Sequence, residues 1–350
     1  MELQSMVIVL VTSLLGAWLF TLLHLPVPWL LGPLFTVLVS QFFLKQRLYW
    51  PAKLRNIGLV IVGVSIGQTF QLNVFTDAGW LIVIMLLINI EIVVLSVLLA
   101  FLLVKFGQLS LKTALTCTVP GGLAQIVTFA EEEEDIDLAV VTFFHVIRVI
   151  TIVLGVPFIL SGHVIEIGKE VHLTFTTLIS LTLLLLLASG AVLIGKKVKL
   201  PVPYFLSPVL LMIGFQLFSV DTPEVPSFLL YIAQLMIGAY IGQLLKPHML
   251  KLGKRVLFLG IGIAFVLLAF TFGQGWMLSQ LMGYTLSTSF LSTAAGGLDQ
   301  MSLLASSLDA DVSTVTVFQI FRLLFVFIIL LPLLKWTCKL IDHKKAIDKI

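Results

Sequence analysis

Residues 79–104, GWLIVIMLLINIEIVVLSVLLAFLLV, run from Gly79 to Val104 with a single charged side chain, Glu91. A helix needs about 20 apolar residues to cross a hydrocarbon core, so this stretch is long enough to span a bilayer. A membrane β-strand would alternate polar and apolar residues over shorter segments, and no such alternation is present. Residues 173–195 repeat the pattern with no charge at all. Across the 350 residues 59% are hydrophobic and only 11% charged, too few to coat a soluble domain of this size. The expected fold class is an all-α membrane protein with the lipid bilayer as its principal partner.

The net charge of +3 carries no basic block or helical basic stripe, so nucleic acid is not an expected partner. Cys117 and Cys338 stand alone in apolar settings and read as reduced packing residues. The opening MELQSMVIVLV lacks a basic leader and a small-residue cleavage site, so residues 6–24 are expected to remain as the first helix.

Displacing the chain against itself by about 175 residues brings four segments into register. Leu25-Pro26-Val27-Pro28-Trp29 falls on Leu200-Pro201-Val202-Pro203-Tyr204, and Pro33 on Pro208. Gly63 with Ile66-Gly67-Gln68 falls on Gly238 with Ile241-Gly242-Gln243. Thr118, Gly121-Gly122-Leu123 and Gln125 fall on Thr293, Gly296-Gly297-Leu298 and Gln300. After a one-residue slip, Val141-Thr142, Phe144 and Arg148 fall on Val315-Thr316, Phe318 and Arg322. Leu and Val coincidences mean little in so apolar a chain, whereas paired Pro, Gly, Gln and Arg in one order mean duplication. The two copies are residues 1–165 and 166–350.

Each copy offers five spans, at 6–24, 29–44, 56–70, 79–104 and 136–161, then 173–195, 204–219, 227–245, 255–282 and 311–334. Each also has one odd segment, 111–130 or 286–306, with small or polar residues at its centre. Glycine pairs, and Pro120 in the first copy, interrupt a helix there. Basic residues mark cytoplasmic loops. If each odd segment enters and returns, the copies are inverted. Lys45, Arg47, Lys53, Arg55, Lys105 and Lys112 then share one side with Lys196, Lys197, Lys199, Lys246, Lys251, Lys254, Arg255 and the C-terminal lysines. Only Lys169 falls opposite. If each segment crosses instead, the basic residues scatter to both sides. The expected arrangement is two inverted-topology repeats, each of about five transmembrane helices plus one interrupted or re-entrant segment, with both termini cytoplasmic.

Inverted repeats with interrupted helices are the usual plan of secondary transporters, with the site near the midplane. Unwinding bares backbone N–H groups that attract anions and carbonyls that attract cations. The substrate-binding candidates are therefore Thr118, Gly121, Gly122 and Gln125 with Thr293, Gly296, Gly297 and Gln300. The blander alternative is that the glycines only permit close helix packing. Arg148 and Arg322 sit mid-span, with His145 or Gln319 three residues earlier on the same face. An arginine at that depth costs at least about 2.5 kcal/mol and needs a partner. It can clamp carbonyls freed by the break or neutralise a bound anion bidentately. Two acids lack a counterpart: Glu91, and Asp299 where the first copy has Ala124. Each can carry H+, help hold Na+, or pair permanently with an arginine.

The paired Pro-x-Pro segments read as turns into the second span of each copy, and Gln68 and Gln243 as interfacial helix-end residues. The six histidines show no metal-ligand spacing, so neither metal nor cofactor is expected. No Gly-Lys-Ser/Thr phosphate loop is present, which disfavours an ATP-driven pump.

Leu-Pro-x-Pro, Ile-Gly-Gln, Gly-Gly-Leu-x-Gln and Phe-x-x-x-Arg, given twice, resemble the bacterial AbrB-type duplicated inner-membrane protein family over essentially the whole chain. The resemblance implies a cytoplasmic-membrane protein associated with regulation of gene expression. Members also carry an ammonia monooxygenase label, and the soluble DNA-binding regulator of the same name is a different protein. The resemblance supplies no active-site residues. A copper or iron oxygenase needs a His or carboxylate constellation that is not recognisable here, so no enzyme activity is expected. The expected function is secondary transport of a small anionic solute, coupled to H+ or Na+, at a site between the two interrupted helices. The alternative is a membrane-bound sensor or regulator that binds a ligand without moving it.

Overall fold

The computed structural model of the chain describes residues 2–44, 48–71, 78–160 and 174–347. Lys45, Arg47, Lys169, Lys349 and the boundary between the copies at 165 lie outside the described residues. The first copy contains α1 (Glu2–Leu22), α2 (Pro28–Phe43), α3 (Ala52–Gln68), α4 (Ala78–Gly107), α5 (Leu111–Thr118), α6 (Leu123–Glu132) and α7 (Leu138–Ile159). The second contains α8 (Phe175–Lys197), α9 (Pro203–Leu217), α10 (Ser227–Gly242), α11 (Lys254–Met282), α12 (Leu286–Thr293), α13 (Leu298–Ser307), α14 (Val312–Phe325) and α15 (Leu331–Ile347). A π-helical turn, Val326–Leu330, joins α14 to α15 with no non-helical residue between them. No strand occurs among the described residues.

Among the described residues seven helical stretches are long and apolar enough to cross a membrane, as expected of a multi-pass membrane protein. All ten expected spans are helical, but α10, with 16 residues, reaches a full crossing length only with the turn and 3-10 helix that follow to Lys251. The helices α2, α3 and α9 stop short of it, with 16, 17 and 15 residues. Their starts explain it. Pro28 and Pro203 open α2 and α9 at the first helical position, and Pro51 caps α3, which then carries Lys53 and Arg55 in its opening turn. The last span extends well past residue 334, through α15.

The prolines also set an unusual entry. Val27 and Val202, each just before its proline, adopt left-handed conformations of φ 45°, ψ 57° and φ 46°, ψ 55°. A β-branched residue there is strained by roughly 1–3 kcal/mol, and the strain recurs at matched positions of the two copies.

Two compact units cut across the copies. One is drawn from Met1–Val74, Val153–Lys246 and Asp299–Val315, the other from Phe75–Ile152, Pro247–Leu298 and Thr316–Ile350. In the first unit, α3 packs on α9 and α10 on α2. The contacts are reciprocal: a Cβ on Gly63 would lie 2.7 Å from the Phe205 carbonyl, and one on Gly238 would lie 2.2 Å from that of Leu30. Only glycine lets the backbones come this close. The matched helices α3 and α10 run antiparallel. Arg55 stacks on Tyr240, and Gly58 lies against Ala233. Gln243 exchanges two hydrogen bonds with the Trp50 backbone, while Gln68 donates to the Pro223 carbonyl at 2.8 Å. These glutamines are therefore ties between the copies and more than interfacial residues.

In the second unit the matched helices α4 and α11 are likewise antiparallel. Gly107, closing α4, lies near Leu259 in the first turns of α11. Near the middle of α4, Ile88 and Glu91 meet Gln274, far along α11.

Candidate functional site

Both interruptions lie in the second unit and are built alike. Ser110 caps α5 by accepting from the Thr113 amide at 3.2 Å, and Thr285 caps α12 by accepting from Thr288 at 3.2 Å. Eight residues later each helix ends where Val119 or Ala294 turns extended, at φ −56°, ψ 129° and φ −54°, ψ 127°. Val119 and Ala294 are buried, and the glycine pairs that follow are half-buried. A break at that depth leaves carbonyls without partners unless side chains supply them.

The mid-span arginines supply them. Arg148 donates to the carbonyls of Val119 at 2.9 Å and Gly121 at 2.7 Å. Arg322 donates to the carbonyls of Ala294 and Gly296, the matched positions, and to the Gln319 side-chain oxygen. Three residues before each arginine a second donor reaches the end of the first half-helix. His145 Nε2 lies 2.9 Å from the Thr116 carbonyl, and Gln319 donates to that of Leu291 at 2.7 Å. Of the two roles open to the arginines, clamping carbonyls or neutralising an anion, the hydrogen bonds are those of a clamp. Among the described residues neither makes an ion pair with a carboxylate.

The first interrupted segment turns back at its break. Ser110 and Thr113, opening α5, donate to the Asp135 carbonyl, and the Asp137 amide donates to Thr113 at 3.1 Å. Lys112, 2% exposed, donates to the Glu134 carbonyl and pairs with Asp342 of α15 at 2.5 Å. The start of α5 and the end of α6 therefore share one end of the fold, as a re-entrant hairpin requires. The helix that clamps the second break also packs on the first: Val326, one turn past Arg322, lies 3.6 Å from where Gly121 would carry a Cβ.

The remaining candidates divide. Thr118 is buried and bonds only to carbonyls of its own helix, Ala114 and Leu115. Thr293 also reaches out of its helix, donating to Thr271 of α11 at 2.7 Å. Gln125 is half-buried and folds over Gly122, where a Cβ would meet its Oε1 at 1.9 Å. Gln300 is buried at the matched place, and Gly297 completes the second break.

The two unmatched acids find partners other than the mid-span arginines. Asp299, 4% exposed in the first turn of α13, pairs with Arg55 of α3 at 3.3 Å. The third span expected at 56–70 excludes Arg55, whereas α3 begins at Ala52 and includes it. Glu91 accepts from the Gln274 amide at 2.9 Å and is otherwise exposed on α4. The antiparallel crossing of α4 and α11 selects an amide for Glu91 and not an arginine. Neither partner was legible, because each depends on helix pairing and not on spacing.

Chemically, two hydrogen-bond edges of each guanidinium are already committed to backbone. What stays open at the first break is the start of α6, whose N-cap, Gly122, offers no side-chain cap. Beside it, Arg148 Nε is buried and without a partner. Bare N–H groups and a spare guanidinium donor suit a small anion. At the second break Asp299 already places a carboxylate in the first turn.

Comparison with known proteins gives the family. A family model described as "Transition state regulatory protein AbrB" matches residues 29–337. The chain belongs to the AbrB family. It is 29% identical over 321 residues to "Putative regulator AbrB" of Escherichia coli (strain K12), covering 89% of this chain and 90% of that protein. It is 25% identical over 364 residues to "Uncharacterized protein YhjN" of Bacillus subtilis (strain 168), covering 95% and 93%. Membership is thus carried by nearly the whole chain, as the paired motifs implied.

Proposed function

We propose that this AbrB-family protein is a secondary transporter of a small anionic solute, built from two inverted repeats in the bacterial inner membrane with both termini cytoplasmic. Inversion is supported by α3 against α10 and α4 against α11, matched helices of the two copies that run antiparallel. A relation of that kind has its axis across the helices, as in inverted-topology transporters. The sharing of one side by nearly all basic loops supports it independently.

The observation that carries the transport reading is the pair of matched breaks, each with its freed carbonyls held by a mid-span arginine, Arg148 buried and Arg322 half-buried. Close helix packing alone calls for no interruption, so a break kept at the cost of a mid-span cation is the feature the transport reading accounts for. The solute's negative charge sits at the start of α6, near Arg148 Nε. Asp299 is the coupling group: a proton taken there breaks its pair with Arg55, which ties anion movement to the H+ gradient. Na+ in place of H+ is the other coupling this carboxylate allows.

Uptake by proteoliposomes tests it, using a panel of small carboxylates and inorganic anions under imposed pH and Na+ gradients. Gradient-driven accumulation of at least one anion is expected. No flux of any, combined with ligand-dependent capture of a partner protein, would establish instead a regulator that senses without translocating. That second reading is favoured by the regulatory names of the family and of the Escherichia coli relative.

A further inference from the structure

Away from the breaks, the meeting ends of α4 and α11 form an open groove of about 530 Å³. Its walls carry Lys105, Lys254 and Arg255, together with Phe106, Phe258 and Gln108. We propose that this groove binds the headgroup of an anionic phospholipid, with its phosphodiester among the three cations and its glycerol and upper acyl chain along the phenylalanines. The proposal rests on the chain crossing a bilayer and is independent of the transport reading.

Depth comes first. α4 has 30 residues and α11 has 29, each about 45 Å at 1.5 Å per residue, against a hydrocarbon core of about 30 Å. Their ends must therefore project into the headgroup layer, and the groove lies at the last turn of α4 and the first turns of α11. Charge comes second. All three cations are exposed, and among the described residues none pairs with a carboxylate. Lys105 has only the Phe106 ring, 5.5 Å away. The α11 N-cap, Gly253, makes no side-chain cap, so the positive end of this long helix adds to the same field. Basic pockets between helix ends are known receivers of anionic headgroups.

The apolar walls choose lipid over free phosphate. Phe106 is 54% exposed and Phe258 is 76% exposed. Bare aromatic rings beside unpaired cations suit an amphiphile whose charge and hydrocarbon arrive together.

The test is lipid retention, read by native mass spectrometry of the full chain and by titration of phosphatidylglycerol or cardiolipin into zwitterionic nanodiscs. K105Q/K254Q/R255Q should weaken anionic-lipid binding by about tenfold or more, three charges being removed from a headgroup site. The charge-preserving K105R/K254R/R255K should bind as the wild type does, which separates site loss from misfolding. Neutralising Lys196, Lys197 and Lys199, an equal charge elsewhere, should leave binding unchanged. Equal weakening by that control, or undiminished binding by the neutral groove variant, overturns the proposal. So does displacement of the lipid by millimolar inorganic phosphate, since the site would then be one for the free ion.

Discussion

The break at 119–122 and the break at 294–297 share a capping residue, a half-helix length, a turning angle and an arginine clamp, yet their charge differs. The second opens into a helix whose second residue is Asp299, already paired with Arg55. The first opens into a helix whose second residue is Ala124. Duplication kept what holds an interrupted helix open and let diverge what occupies its positive end. One break carries its own carboxylate; the other has an alanine in that place. The clamps differ in depth of support too. Ala294 is held by both Arg322 and Gln319, at 3.2 Å from the latter, whereas the Val119 and Gly121 carbonyls rely on Arg148.

The largest effect should come from removing a clamp. Arg148→Met orphans two buried carbonyls, at about 1–3 kcal/mol per group, and recovers part of that by removing a buried charge. A net loss of about 3 kcal/mol is expected, measured by thermal unfolding in detergent. Arg322→Met should cost visibly less, because Gln319 still serves Ala294. Equal losses would mean that the two breaks are supported alike, and wild-type stability of both variants would mean that the breaks need no clamp.

Much of this was open to sequence reading, for a physical reason. Proline, glycine and mid-span arginine are costly in a membrane helix, so their paired recurrence marked both breaks and the arginines beside them, with clamping one of two roles left open. The helix ends followed less closely. Span length was read from hydropathy, and the charges Lys53 and Arg55 seemed to exclude the first turn of α3, which the fold keeps helical. Partners chosen by packing left no trace at all. Gln274 lies in an unremarkable Phe-Gly-Gln-Gly stretch, and only the antiparallel fit of α11 on α4 sets it against Glu91. Lys112 read as a loop cation, yet the return of the hairpin and the length of α15 bury it against Asp342.

An intermediate effect tests the difference in charge directly. Ala124→Asp gives the first break the acid of the second. An acid in a first turn stabilises a helix by about 0.3–1 kcal/mol, so the variant should fold at least as well as the wild type. Under the transport reading its anion uptake should nevertheless fall by about tenfold or more, because the carboxylate fills the solute's place. Asp299→Asn should do the reverse: a stability loss of about 1 kcal/mol from the partly exposed Arg55 pair, and uptake that no longer follows the pH gradient. Unchanged uptake in Ala124→Asp would move the solute away from the start of α6.

The smallest effect concerns the residues behind the arginines, and its sign is the informative part. Gln319 uses both ends of its amide, donating to Leu291 and accepting from Arg322. His145 donates to Thr116 through Nε2, while its Nδ1 is buried and without a partner, as is Arg148 Nε. A glutamine at 145 can keep the Thr116 bond and offer an oxygen to Arg148. His145→Gln should therefore stabilise the protein by about 0.5–1 kcal/mol, the net worth of one buried hydrogen bond. Gln319→His should destabilise it by a similar amount, since imidazole cannot serve Leu291 and Arg322 together in this geometry. Unfolding of the two single variants and the double exchange gives the comparison. If both substitutions destabilise, His145 has a purpose at the first break that its hydrogen bonds do not reveal, and the ring facing that break becomes a candidate contact for the solute.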